Sequence, residues 1–245
     1  MKNRLVLLLG SCLLLGACTK HPVLPKFETC AIDTLLQGDG NSCRVEYRFA
    51  SISNTGKSSA LETIEQANLG YFFQLEAFTG TLGQAVQTSL TDIQTNYLPV
   101  GMGPSGREYE VSVESEGSVI DSLIGYVITR AGYTGGAHGM YGTECHTYSL
   151  RDGFELSLAD LFSEAALQRL DEVIREKIAA QYQASTDDEL SEAGFFPEYI
   201  APTENFLISE SGITFYYNPY DIGCYALGAV EVTLTPEELA QLCAE

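Results

Sequence analysis

Basic residues are scarce in this chain. Lysine and arginine together number 13 against 33 aspartates and glutamates, a formal net charge of −20 over 245 residues. A surface of that sign repels nucleic acid and anionic lipid and attracts cationic partners. Cys-x-x-Cys is absent, so a zinc ribbon or a thioredoxin-type motif has no ligands to build on. Histidines number three, His21, His138 and His146. Gly-x-Ser-x-Gly is missing, and no serine or cysteine stands in a recognised arrangement with His138, so nucleophilic catalysis has no visible apparatus. A glycosidase needs two carboxylates held a short distance apart, but among so many acids their presence selects nothing.

Long apolar runs are also lacking. The one from Leu5 to Leu15 is too short for a membrane span, and it follows the basic residues Lys2 and Arg4. That order reads as a secretory signal. Its ending, Leu15-Gly16-Ala17-Cys18, resembles a bacterial lipobox, in which the leader (1–17) is cut and the Cys18 thiol is lipidated. The expected product is a cell-envelope lipoprotein held to a membrane by acyl chains. Residues 18–27, with Pro22 and Pro25, read as a tether. Without Lys2 and Arg4, 11 basic residues remain against 33 acidic ones, a net charge of −22.

Five cysteines remain after cleavage and lipidation: Cys30, Cys43, Cys145, Cys224 and Cys243. An oxidising compartment permits pairing. Cys30 and Cys43 flank a turn signal at Gly38-Asp39-Gly40-Asn41, and a bridge across that hairpin is the expected disulfide.

The hydrophobic periodicity predicts an α+β fold, antiparallel sheets with helices packed on one face. Residues 43–52 alternate as a strand. Leu61, Ile64, Leu69, Phe72 and Phe73 recur at helical spacing within 58–78, with Ser58 or Ser59 as cap. A more polar helix covers 82–98. Two strands follow, 107–117 and 119–133, with a turn at Glu116-Gly117-Ser118. After a strand at 143–150 and a turn at Arg151-Asp152-Gly153, residues 163–182 form the clearest helix, with Leu167, Leu170, Ile174 and Ile178 on one face. Residues 205–221 read as strand, Ser-Gly turn, strand. A last strand then leads to a helix with Thr235 as cap, Pro236 first and Glu238 three on.

The stretch "AGYTGGAHGMYGT" (131–143) gathers four glycines around His138. "GYTGGAHG" has neither phosphate-loop spacing, has no lysine, and runs into a strand rather than a helix. His138, Glu144 and His146 carry ligand atoms, and Glu144 and His146 share a strand face. No aspartate or cysteine completes a metal spacing, so neither metal nor other cofactor is expected. The favoured reading is a turn scaffold: glycines permit positive φ and close approach, and His138 hydrogen-bonds across the loop. Rigid loops border recognition surfaces, which makes Tyr133, Gly135, Gly136, His138 and Tyr141 candidates for one. In "FYYNPYDIGCYALG" (215–228), Phe215 and Tyr217 are expected in the core, and Tyr216 and Tyr220 on the surface.

Taken together, Tyr133–His138, Leu158–Phe162 and Phe215–Gly228 resemble an exported module. It occurs in the RsiV-type anti-sigma factor that senses lysozyme and beside the deacetylase domain of PdaC-type enzymes. The likeness is good over about 106–245 and extends to 28–105 only in element order. It implies an N-terminal α+β part at 28–146 and a C-terminal part at 147–245. It also implies a non-catalytic, envelope-anchored binding role towards a cationic protein such as lysozyme, or a cell-wall glycan. The deacetylase metal ligands have no counterpart. A hydrolase acting on polysaccharide is the competing expectation.

Overall fold

The computed structural model describes residues 21–38, 40–99 and 106–244. Alternation between apolar and polar side chains builds the first layer. Strand β1 (Phe27–Gln37) runs antiparallel to β2 (Ser42–Ile52), whose Val45, Tyr47 and Phe49 all point inward. Helices α1 (Ser59–Phe73) and α2 (Leu82–Asn96) then cross over, so β3 (Glu108–Ile120) joins β2 in parallel. A parallel neighbour needs a connection of that length. β4 (Leu123–Tyr133) and β5 (Met140–Ser149) complete the sheet as antiparallel hairpins, in the order β1-β2-β3-β4-β5.

Leu61, Ile64, Leu69 and Phe72 of α1 pack on the inner face against Tyr47, Phe49, Tyr126 and Ile128. Thr81 starts α2 with a capping box that includes Gln84. At the start of α1, Ser58 takes the cap position without making the side-chain bond expected of it.

The C-terminal half builds a second core. After α3 (Leu158–Leu161) comes α4 (Glu164–Gln181), which buries Leu170, Ile174 and Ile178, with Leu167 packed at the margin. α5 (Asp187–Glu192) leads to a three-stranded antiparallel sheet of β6 (Phe206–Ser209), β7 (Gly212–Tyr217) and β8 (Val230–Leu234). Phe215 and Tyr217 are buried in this core, as their alternation implied. α6 (Pro236–Ala244) closes the chain, and Thr235 and Glu238 exchange the hydrogen bonds of a capping box. The fold is α+β, as the periodicity indicated. Among the described residues no helix is long and apolar enough to cross a membrane.

Three local expectations are corrected. The β3–β4 turn falls at Asp121-Ser122, where Ile120 faces Leu123, and not at Glu116-Gly117-Ser118. Gly117 lies inside the ladder, and a Cβ there would stand 2.2 Å from the Phe27 ring. That glycine serves close packing rather than a turn.

α1 ends at Phe73, five residues before Phe78. Gln74 adopts φ 54°, its N–H bonds to Tyr71 O, and Leu75 N–H bonds to Gly70 O. This is the Schellman ending, with glutamine where glycine is usual.

The hairpin joining Cys30 and Cys43 exists, yet its register sets Cys30 opposite Phe49 and Cys43 opposite Leu36. Six residues along a strand separate the two thiols by roughly 20 Å, and a disulfide needs Cα atoms within about 7 Å. Both cysteines are free. The reason is asymmetry: Cys43 sits one residue into β2, whereas Cys30 sits seven residues before the end of β1.

Candidate functional site

β5 is an edge strand of the first sheet, and its open edge is covered group by group. Asn205 Oδ1 accepts from Cys145 N at 2.8 Å, and Asn205 Nδ2 donates to Thr143 O at 2.8 Å and Tyr216 O at 3.0 Å. Asn218 Oδ1 accepts from Thr143 N at 2.7 Å while its Nδ2 donates to Thr143 O at 3.0 Å. Each amide imitates a strand neighbour. Further along, Leu156 N donates to Thr147 O, and Ser149 N donates to Phe154 O. Leu207 of β6 lies against the backbone of Gly125 in β4. The two halves therefore meet along β4 and β5, and the loop between those strands projects from the seam.

That loop is the glycine stretch. Gly135 takes φ 82°, and the Tyr133 hydroxyl donates to Gly136 O at 3.1 Å. His138 is exposed rather than buried, and its Nδ1 lies 2.9 Å from Gly139 O, its immediate neighbour. The expected bond across the loop is not made. The imidazole instead stacks on Tyr225, with centroids 3.9 Å apart and planes at 23°. Tyr225 belongs to a short 3-10 turn (Tyr225–Leu227) of the C-terminal half, and its hydroxyl donates to Gly139 O at 2.6 Å. What pins the loop is an aromatic 86 residues away in sequence.

Around Tyr225 the structure gathers His138, Tyr141 (edge-on, 6.1 Å) and Tyr220 (tilted, 5.6 Å). Tyr141 and Tyr220 are exposed, as are Tyr133 and Met140 on the strands flanking the loop. Tyr220 holds φ 78°, a backbone region that bulky residues rarely occupy. Tyr216 does not join this rim. It lies half-buried on the other face of β7, beside Cys145 and Glu231, where burial raises its hydroxyl pKa. Cys18 lies outside the described residues.

The glycine chemistry of the loop is specific. Gly135 is in the left-handed region, whereas Gly136 is not, and a Cβ at Gly136 meets nothing nearer than 3.7 Å. Gly135→Val is therefore expected to lower stability by about 1–2 kcal/mol. Gly136→Val should change it by less than about 0.5 kcal/mol, as measured by urea unfolding of both variants.

A second polar group lies on the inner face of β5. His146 is buried between two carboxylates, with Nδ1 2.6 Å from Glu155 Oε1 and Nε2 3.3 Å from Glu144 Oε1. Its ring stacks on Tyr71 of α1 at 3.8 Å, and the Tyr71 hydroxyl donates to Glu155 Oε2 at 2.8 Å. Burial would lower the His146 pKa, but the flanking Glu144 and Glu155 carboxylates outweigh it and the net shift is upward. Burial works against ionised Glu144, yet His146 and Arg130 hold its pKa below the ordinary value.

Sequence spacing placed Glu144 and His146 on one face. Nothing in it signalled Glu155 and Tyr71, which arrive from a bridge after β5 and from α1. The two carboxylates approach opposite nitrogens of the ring and do not converge on one point. No group of three ligand residues suited to a metal occurs among the described residues.

Residues 159–236 match the model of a family described as a protein of unknown function, DUF3298. No curated protein matches the chain. A crystal structure of a DUF3298 family member from Bacteroides fragilis is similar at 25% identity and a TM-score of 0.78, covering 92% of this chain and 96% of that one. A DUF3298 family protein from Pseudomonas aeruginosa PAO1 shares the fold at 18% identity and a TM-score of 0.61, over 89% of this chain and 94% of that one.

Proposed function

We propose that this chain, which carries a DUF3298 domain over residues 159–236, is an envelope-anchored binding module whose aromatic rim recognises a cationic protein. The observation that carries this reading is the rim itself. Tyr141, Tyr220, Tyr225 and His138 come from two distant segments and pack together at one seam, with Tyr220 in an uncommon backbone conformation. Exposed tyrosine and methionine side chains are typical of protein interfaces. The net charge of −22 without the leader sets the sign of the partner. A lysozyme-like protein fits that sign, and the resemblance of Tyr133–His138 and Phe215–Gly228 to the lysozyme-sensing module supports the same choice. In this reading a lipidated Cys18 holds the module at a membrane surface.

Salt dependence tests the reading. With a c-type lysozyme as probe, association should slow steeply as salt rises, because long-range attraction is screened beyond roughly 10 Å at 0.1 M salt. Dissociation should change far less, since it reports short-range packing. A neutral glycan stacking on the same aromatics would bind almost indifferently to salt. Salt-independent binding of chitooligosaccharide with none of lysozyme would replace the protein partner by a glycan. Absence of binding to both would sink the recognition role, and Cys18→Ser protein remaining in the membrane fraction would sink the anchor.

A further inference from the structure

Hydrogen bonds and ion pairs around His146 run in a circuit between the end of α1 and the edge strand β5. Arg130 of β4 donates from Nη1 to Phe72 O at 2.9 Å and from Nη2 to Tyr71 O, so it holds the last carbonyls of α1. The same Nη2 lies 3.3 Å from Glu144 Oε2. Glu144 faces His146, His146 faces Glu155, and Glu155 accepts from the Tyr71 hydroxyl, back on α1. Beside this circuit opens a cleft of about 540 Å³, walled by Tyr71, Gln74, Leu75, Phe78 and Glu144. Its far wall is the loop after α1, in which Gln74 and Ala77 both hold positive φ.

Hydrogen-bond bookkeeping assigns the charge. A neutral imidazole has one donor and one acceptor nitrogen, whereas the imidazolium has two donors. Both nitrogens of His146 face carboxylate oxygens. Nδ1 is hydrogen-bonded to Glu155, while Nε2 stands at ion-pair distance from Glu144 without a hydrogen bond, and only the charged ring turns an N–H rather than a lone pair toward each carboxylate. In the neutral ring one nitrogen lone pair would face an ionised oxygen at close range.

We propose that His146 is a proton-operated clasp: charged, it closes the C-terminal end of α1 onto β5, and its deprotonation frees the Tyr71 wall of the cleft. This is independent of what the aromatic rim binds. The groups facing His146 are Glu144 and Tyr148 from β5, Glu155 from the following bridge, Tyr71 from α1, and Tyr126 opposite it on β4, with Arg130 behind Glu144. Burial pushes the hydroxyls of Tyr126 and Tyr148 well up, so both stay neutral. Tyr71 is raised to about 12, first by burial and then by its bond to Glu155. His146 is the side chain of the circuit whose ordinary value lies nearest neutrality.

The direction follows from linkage. A histidine whose folded pKa is raised contributes stability in full below its ordinary value near 6.5, and that contribution is lost as pH rises through the folded value. The clasp is closed in mild acid and opens on the alkaline side.

Two readings on the full chain, solubilised in detergent, test this. Long-range proton–nitrogen spectra should show His146 as imidazolium at pH 6.5, titrating above the ordinary histidine value. Hydrogen exchange should show the protection factor of Leu75 N–H, bonded to Gly70 O at 2.8 Å, falling about tenfold as pH crosses that midpoint. Glu155→Gln, which removes a charge and keeps the size, should lower both midpoints together. A neutral His146 at pH 6.5 would overturn the proposal. So would Leu75 protection that ignores the His146 titration, or a pH course unchanged in Glu155→Gln.

Discussion

Asn205→Ala is expected to lower the unfolding free energy by about 2–4 kcal/mol. One amide serves three backbone groups: Cys145 N, Thr143 O and Tyr216 O. Each net bond is worth about 1 kcal/mol, and a backbone group left without a partner adds its desolvation penalty of about 1–3 kcal/mol. The carbonyl of Thr143 keeps a second donor in Asn218 Nδ2, which moderates the total. Cys145 N has no such reserve among the bonds to its edge. Urea unfolding of the purified variant measures the loss. A cost below about 0.5 kcal/mol would mean that apolar contacts alone, such as Leu207 on Gly125, hold the two halves together. Asn205→Asp offers a finer comparison: the acceptor for Cys145 N survives, but a carboxylate oxygen then faces the carbonyls of Thr143 and Tyr216, so at neutral pH stability should fall at least as far as in Asn205→Ala.

The same asparagine shows where sequence reading stops. Element type was legible because burial repeats locally, every second residue in β2 and every third or fourth in α1 and α4. The capping box of α6 was legible because Thr235, Pro236 and Glu238 are neighbours. Pairing across the chain has no such local trace. Asn205 and Asn218 look like ordinary turn residues until the edge of β5 arrives to be covered.

The Cys30–Cys43 expectation failed for a related reason. A turn signal locates a hairpin, but each cysteine's distance from that turn decides whether the two meet. Gly117 misled because a missing side chain serves a turn or a tight contact equally well, and the Phe27 ring that needs the space lies 90 residues earlier in the chain.

The sequence reading has His138 brace the loop by a hydrogen bond across it, since glycines crowd around it. The brace proved to be Tyr225, and the histidine is the exposed partner stacked on it. Of the seven candidate surface residues, His138, Tyr141 and Tyr220 converge on Tyr225, while Tyr216 turned inward with the strand's alternation. For the buried circuit, period 2 gave Glu144 and His146. Glu155 and Tyr71 required the bridge after β5 and the position of α1.

If the rim binds a cationic protein as proposed, the largest expected effect on that binding belongs to Tyr225→Ala. Tyr225 is half-buried at the centre of the rim, with His138 stacked on it and Tyr141 and Tyr220 packed beside it. Central, well-packed aromatics carry most of an interface's energy, commonly about 2 kcal/mol or more on truncation. That corresponds to roughly thirtyfold weaker binding. The substitution also releases Gly139 O from its 2.6 Å bond, so the loop loses its brace as well as its neighbour.

Tyr225→Phe separates the two contributions, since it keeps the ring and drops only the hydroxyl. It should weaken binding by no more than about tenfold if one hydrogen bond of about 1 kcal/mol is all that is lost. Titration calorimetry with lysozyme on both variants, alongside their thermal unfolding, gives the comparison. Wild-type affinity in a folded Tyr225→Ala protein would rule out the aromatic rim as the recognition surface. Equal losses in the two variants would mean that loop bracing, rather than ring contact, governs recognition at this seam.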